Sequence, residues 1–336
     1  MSSDAPIGKE SKPLFPERRD PPSGGVRPWF VLVGPTAVGK TRVAEALAAG
    51  LQTDIIVADS RQVYQGMDIG TDKPTPEARR RVARHLIDLA PPDQSFSAGR
   101  YKQQAELKIA EMEAAGKGIF IEGGTGLYIK ALLYGLWQGP PADWARREVL
   151  LHKEKEEGEG TLHRMLSGVD PASGRRIHFR DIPKIIRALE VYDLTGRPLS
   201  EIHAEHRFQE PNPRPSWIVG LRRDRKTLYR RIEARVDDQI ASGLIEETER
   251  FLSSGLSPLL PSMRGLGYKQ IVPYLQGKES LEEAVSILKR ETRHYAKRQM
   301  TWFQADPRIE WIDLEEEPAE ETVDRIKNLK NYRIML

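Results

Sequence analysis

The chain has 336 residues with no cysteine, a formal net charge of +3, 39% hydrophobic residues and 30% charged ones. It is long enough for one large domain or two modest ones with a buried core, and the lack of cysteine excludes disulfides and cysteine-ligated zinc fingers. The absence of cysteine fits a reducing cytoplasm, and no apolar run approaches the roughly 20 residues of a membrane-spanning helix, so the expectation is a cytoplasmic protein with no membrane partner.

Residues 1–28 are rich in proline, glycine, serine and charge. They lack the apolar centre of a secretory signal and read as a disordered extension. "WFVLV" (29–33) predicts a strand, followed by the loop "GPTAVGKT" and a helix through "TRVAEALAAGL". "DIIVA" (54–58) predicts a second strand and "HLIDL" (85–89) a third. A helix is expected over "SAGRYKQQAELKIAEMEAAGK", with Gly116 as its stop. "GIFIE" (118–122) is a fourth strand, and "GGTGLYIKALLYGL" turns from it into a helix. From 137 to 215 strand patterns vanish, helical ones replace them, and "RFQEPNPRPS" makes a proline-rich return. "WIVGL" (217–221) predicts a strand rejoining the sheet, helices run on to 305, and "RIEWIDL" (308–314) predicts an edge strand. This alternation predicts an α/β fold, a P-loop NTPase-like parallel sheet flanked by helices, with an all-helical insertion domain. The expected core is 29–136 with 216–315, the insertion 137–215, and the C-terminal tail 316–336.

The loop matches G-x-x-x-x-G-K-[ST] in full, as Gly34, Pro35, Thr36, Ala37, Val38, Gly39, Lys40 and Thr41. Its glycines let successive backbone N–H groups wrap a phosphate at a helix N-terminus. Lys40 adds a point charge, and Thr41 a hydroxyl suited to Mg²⁺. The motif does not say what the phosphate belongs to. Acids end two strands, Asp59 and Glu122, and ligands gather at that edge of such sheets. Asp59 is followed by "SRQVYQG", a polar run that a plain metal site does not need. A carboxylate beside hydrogen-bonding side chains suits holding an acceptor and taking its proton. The plainer roles are a helix N-cap for Asp59 and an orienting strand-end carboxylate for Glu122. "GGTGLY" (123–128) is a second glycine-rich turn that carries Thr125 to a helix N-terminus.

Basic residues concentrate on a few helices. Arg180, Lys184 and Arg187 share a face, as do Lys289, Arg293 and Lys297. Leu281, Ala284, Leu288, Thr292, Tyr295 and Trp302 form the expected apolar stripe of the second helix. "LRRDRKTLYRRIEARV" adds Arg222, Arg223, Arg225, Arg230, Arg231 and Arg235. Each stripe alone suits a solvated face; together, beside a phosphate loop, they suggest a polyanionic partner.

The motifs "GPTAVGKT", "ADSRQVYQGMDIGTDKP", "HLIDLAPPDQSFSAGRY", "EGGTGLYIKALLYGL", "IIRALEVYDLTGRPLS", "MRGLGYKQ" and "YAKRQMTWF" run in order over roughly residues 29–305. In this the chain resembles the tRNA dimethylallyltransferases, also called tRNA isopentenyltransferases, of the bacterial type. The resemblance implies transfer of a dimethylallyl group from dimethylallyl diphosphate to the exocyclic amine of an adenosine. That adenosine lies 3′ of the anticodon in tRNAs reading codons that begin with U. It also implies Mg²⁺ as cofactor and a loop that holds the donor's diphosphate. The expected catalytic set is Asp59 as base, with Thr125 and Lys40. The expected diphosphate seat is Gly34 to Thr41, with Arg235 added and Thr41 on the metal. The expected tRNA contacts are Asp59, Ser60, Arg61, Gln62, Thr125 and Arg147; Pro183, Lys184, Ile185, Ile186 and Arg187; and Arg264, Gly267, Tyr268, Lys269 and Gln270. The partner is the anticodon stem-loop of tRNA, and the enzyme is expected to be a monomer.

The sequence departs from the family pattern in "HFR" (178–180) for "HPN", in Lys184 for arginine, and in Gln304 for arginine. Those changes touch expected tRNA contacts and leave the chemistry intact. Alternatives are a small-nucleotide kinase, a prenyltransferase acting on free adenine nucleotides, and a non-catalytic RNA-binding ATPase.

Overall fold

The computed structural model describes residues 27–137, 139–206, 215–315 and 317–329. The extension read over 1–28 therefore lies almost wholly outside the described residues. The first elements are β1 (Trp29–Val33), α1 (Lys40–Leu51), β2 (Ile55–Ala58), α2 (Pro76–Arg81), β3 (Arg84–His85), α3 (Ala98–Ala114), β4 (Phe120–Gly123) and α4 (Gly126–Tyr134). Helices α5 (Trp144–Glu157), α6 (Thr161–Val169), α7 (Pro171–Arg176), α8 (Ile182–Thr195) and α9 (Leu199–His206) follow. The chain ends with β5 (Ser216–Arg223), α10 (Arg225–Ala241), α11 (Leu244–Ser253), α12 (Tyr268–Leu275), α13 (Leu281–Gln304), β6 (Glu310–Leu314) and α14 (Ala319–Lys327). It divides into two compact units, Gly135–Asn212 and the remainder.

In the larger unit the strands form one six-stranded sheet, ordered β3-β2-β4-β1-β5-β6, with every pairing parallel. Strands β1, β2 and β4 are buried at every position, as continuous apolar runs require when helices cover both faces. Phe30, Leu32, Val57, Phe120, Val219 and Leu221 of the strands pack with Val43 and Leu47 of α1 and Ile232 of α10. Each such side chain contributes roughly 1.5–3 kcal/mol by leaving water. The order reverses at β1, which has β4 on one side and β5 on the other, and the phosphate loop leaves the sheet at that switch point.

The smaller unit is helical. Its core joins Leu150, Leu162, Leu166, Ile177, Ile185, Ile186, Leu189 and Ile202. At its centre Glu190 is fully buried and receives a bidentate grip from Arg147, both contacts at 2.8 Å. Arg187 Nη1 adds a contact at 2.5 Å, and Asp143 N–H donates at 2.8 Å. Burial pushes the Glu190 carboxyl up; the two guanidiniums and the amide outweigh it and bring it down to about 2.

The structure corrects several expectations. The third strand stops at His85, because Leu86 and Asp88 have positive φ (67° and 56°). Asp88 turns out to meet Lys73 at 2.6 Å and Arg79 at 2.8 Å, and its amide donates to Gln62 O. Residues 319–327, assigned to a tail, form α14, with Val323 and Ile326 in the main core. On α13 the buried stripe is Ala284, Leu288, Thr292, Ala296, Gln299 and Phe303; Trp302 lies off it and is 41% exposed. Two members of the basic face of the same helix are paired, Lys289 with Asp237 and Arg293 with Glu233, both on α10, while Lys297 is exposed.

Candidate active site

The loop from β1 to α1 is shaped by glycine at both ends. A Cβ on Gly34 (φ 153°) would stand 2.6 Å from the Leu221 carbonyl oxygen of β5, so no side chain fits there. Gly39 (φ 112°) turns the chain into α1. Side chains from elsewhere hold the loop between them. Arg223 Nε donates to Val38 O at 2.8 Å, Arg231 Nε to Ala37 O at 3.0 Å, and Arg235 Nη1 to Thr36 Oγ1 at 2.9 Å. Arg235 also pairs with Asp72 at 3.2 Å. The Thr36 amide donates to Gln299 Oε1 at 2.9 Å, and Lys40 Nζ to Pro35 O at 2.9 Å. Burial lowers the Lys40 ammonium below the ordinary lysine range, while Glu122 and Asp59 pull it back up.

The acids stand on neighbouring strand ends, since Val57 of β2 is in register with Glu122 of β4. Asp59 Oδ1 accepts from the amides of Arg61 (2.8 Å) and Gln62 (3.4 Å). It thus caps a turn rather than a helix, and among the described residues its second oxygen has no hydrogen-bond donor. Glu122 is 6% exposed and meets Arg84 Nη1 at 3.2 Å, with Arg84 Nη2 on Glu45 at 3.2 Å. A buried guanidinium therefore compensates Glu122 and leaves Asp59 as the acid with free capacity. Thr125 Oγ1 accepts from the Ser60 amide at 3.0 Å, and its own amide donates to Ala58 O at 3.1 Å. Burial first, then the Asp59 charge, pushes the phenol of the neighbouring Tyr295 up to about 12.

These elements wall a cavity of about 660 Å³. Of the residues expected from sequence, Thr36, Ala37, Gly39, Lys40, Thr41, Asp59, Arg61, Gln62, Arg235, Arg264, Lys269 and Gln270 line it. Ser60 and Thr125 bond each other beside Asp59 and are not on the wall. Tyr268 is buried in the scaffold: its hydroxyl donates to Glu247 at 2.6 Å. Glu247 in turn accepts the amides of Asp68, Ile69 and Gly70, a backbone nest filled by a carboxylate. Gln270 accepts from the Gly267 amide at 3.1 Å and so caps its own helix. In the smaller unit Ile185 and Ile186 are core residues, Arg147 and Arg187 grip Glu190 with their side chains still partly exposed, and Lys184 is exposed beside Asp181.

Sequence reasoning left Arg231, Arg298, Tyr295 and Gln299 out of the site, and all four line the cavity. Arg231 was detectable, one helical turn before Arg235 on α10. Gln299 carried no signal beyond a polar residue at the buried period of α13. Beside the cavity, Lys130, His294, Lys297, Arg298, Thr301 and Trp302 line a second depression of about 580 Å³.

The family model "IPP transferase" matches residues 62–306. The chain belongs to the IPP transferase family. Among its IPP transferase relatives, it is 48% identical over 287 residues to the tRNA dimethylallyltransferase 2 of Geotalea uraniireducens, covering 85% of this chain and 92% of that one. It is 46% identical over 291 residues to the tRNA dimethylallyltransferase of Geobacter sulfurreducens, covering 87% and 93%. Among solved structures, the full-length tRNA isopentenylpyrophosphate transferase of Bacillus halodurans superposes with a TM-score of 0.68 at 36% identity, covering 92% of this chain and 97% of that one. A eukaryotic dimethylallyltransferase acting on tRNA shares the fold, with a TM-score of 0.69 at 23% identity, covering 92% and 77%. The IPP transferase fold is thus the P-loop-like parallel sheet with flanking helices expected from sequence.

Proposed function

We propose that this IPP transferase moves a dimethylallyl group from dimethylallyl diphosphate to the N6 amine of the adenosine 3′ of the anticodon in tRNAs reading codons that begin with U, releasing diphosphate. The observation that carries this reading is one cavity lined by Thr36, Ala37, Gly39, Lys40 and Thr41 of the phosphate loop and by Asp59 at the end of β2, a carboxylate with a free oxygen.

The allylic C–O bond breaks as the diphosphate leaves, and negative charge grows on its oxygens. The loop amides at the start of α1, Lys40, Arg231 and Arg235 stand where that charge would be met. The adenine amine is a weak nucleophile, because its lone pair is delocalised into the ring. Asp59 orients it and takes its proton as the new C–N bond forms, and the Arg61 and Gln62 amides on Oδ1 hold that carboxylate in its orientation. Thr125 and Ser60 support the Asp59 turn from behind.

Among the described residues, no cluster of acidic and histidine side chains is placed to cage a metal. That suits Mg²⁺, which binds through a few oxygens together with substrate phosphates and water. The Thr41 hydroxyl, on the cavity wall beside Lys40, would hold it, with the donor's phosphate oxygens completing the set. When bound it would neutralise charge on the leaving diphosphate.

A basic cavity mouth supports a polyanionic acceptor. Arg298 lines both the cavity and the neighbouring depression, where Trp302 offers a face for a base to stack on. Lys269 and Arg264 are exposed cations of the kind a phosphate backbone needs.

The test is to incubate the chain with labelled dimethylallyl diphosphate and Mg²⁺ and with tRNA, AMP or ATP. Label is expected in tRNA alone; label in AMP, or in none, overturns the reading. Asp59→Ala should cut turnover by about 10²–10⁴-fold while donor binding survives. Near-normal turnover would remove Asp59 from the base role.

A further inference from the structure

Gln299 is 6% exposed and sits on the buried stripe of α13, where the positions before and after it are Ala296 and Phe303. A buried primary amide costs free energy unless both its ends find partners. Here they do, on two different loops. Oε1 accepts the Thr36 amide of the phosphate loop at 2.9 Å, and Nε2 donates to Gly124 O of the second glycine-rich turn at 2.8 Å. The amide has only one workable orientation, because the reverse would set donor against donor and acceptor against acceptor.

What each partner leads to makes the bond pair informative. Thr36 carries the Arg235 guanidinium on its hydroxyl at 2.9 Å. Gly124 precedes Thr125, whose hydroxyl accepts the Ser60 amide at 3.0 Å next to Asp59. One side chain therefore joins the loop that would hold the leaving group to the turn that carries the base. The sheet sets the spacing of the strands themselves, Val33 against Gly123 and Gly123 against Ala58, but both loops begin where that pairing ends. Gly124 is matched to the tie: a Cβ there would stand 2.5 Å from Gln299 Nε2.

We propose that Gln299 is a positioning residue that sets the separation between donor and acceptor by tying the phosphate loop to the Gly124–Thr125 turn. The proposal rests on the prenyl-transfer reading of the cavity. In a displacement at carbon, the amine must reach near-attack distance on the side opposite the leaving diphosphate. A shift of about 1 Å in one loop relative to the other costs about 10²-fold in rate without removing any group that binds donor or tRNA.

The test compares the full-length chain with Gln299→Leu, Gly124→Ala and the double variant, using labelled dimethylallyl diphosphate and tRNA. Gln299→Leu should lower kcat about 10²-fold, with KM for donor and for tRNA changed by less than roughly threefold. Gly124→Ala should show the same split by pushing the amide off its carbonyl. The double variant should be no slower than the worse single one, since both remove the same tie. The proposal is overturned if Gln299→Leu keeps its kcat, if the loss falls on either KM, or if the two losses multiply. A parent chain that labels no tRNA overturns the prenyl-transfer reading and the tie with it; a parent that labels tRNA alongside fully active variants overturns the tie alone.

Discussion

Arginines around the phosphate loop and arginines in the helical unit look alike in sequence and end with different partners. Beside the loop, Arg231 bonds the Ala37 carbonyl at 3.0 Å and Arg235 the Thr36 hydroxyl at 2.9 Å. A carbonyl accepts the hydrogen bond without cancelling the charge, so the Arg231 guanidinium is fixed in place and its field still reaches the cavity, whereas Arg235 also meets the Asp72 carboxylate at 3.2 Å. In the helical unit, Arg147 and Arg187 bond the buried carboxylate of Glu190. There one carboxylate offsets one of the two positive charges, and both guanidiniums act as structural ties. The lesson is that a basic stripe predicts positive charge, while the chemistry of the acceptor decides whether that charge is available to a ligand.

The strongest way to break this comparison is Glu190→Ala. It leaves two arginines without their anion and should destabilise the helical unit by about 3–5 kcal/mol, measured by denaturant unfolding, with donor binding unchanged. A loss of donor affinity without a loss of stability would reverse the assignment. Acid sharpens the same point. The Glu190 carboxyl sits at about 2 against an ordinary 4.5. A depressed carboxyl contributes stability that is complete above its unfolded value and is lost as pH falls from that value through the folded one. The helical unit should therefore weaken between about pH 4.5 and 2, and the Glu190→Ala chain should lack that component.

On the loop side, Lys40→Met should lower turnover by about 10²–10³-fold and leave the unfolding midpoint in place. A midpoint that drops in step with turnover would make Lys40 a scaffold residue. Arg231→Met should weaken donor binding about tenfold and flatten its dependence on salt, because one phosphate-facing charge is gone. Arg187→Met, its counterpart, should lower stability and leave donor affinity alone; identical outcomes for the two would dissolve the contrast. The smallest expected change is Ser280→Ala. It removes the capping box at the start of α13, where Ser280 Oγ accepts the Glu283 amide at 3.2 Å. A loss of about 1 kcal/mol with kcat intact would separate the stability of α13 from the positioning role of Gln299.

Much of the fold was legible because its signals are local. A parallel sheet covered on both faces must show short apolar runs, and "WFVLV", "DIIVA" and "WIVGL" all proved to be strands. Two elements misread the local signal for nonlocal reasons. "HLIDL" has strand composition, yet Asp88 is drawn out of the ladder by Lys73 and Arg79. The segment 319–327 looked like a charged tail, and only its contact with the core shows that Val323 and Ile326 are an apolar face.

The phosphate loop, the acids at the strand ends and the family motifs are legible in the chain alone, because each depends on residues close together in it. Only the folded chain shows that Arg231 meets a neutral carbonyl while Arg147 and Arg187 share one carboxylate, that Glu122 is compensated by Arg84 while Asp59 keeps an open oxygen, and that Gln299 spans two loops. Those outcomes turn on partners brought together from far along the chain, Thr36 with Gln299 across 263 positions and Gly124 with Gln299 across 175. Hydrogen bonds and ion pairs of that kind leave no period or spacing in a sequence; they exist only once the fold has set the distances.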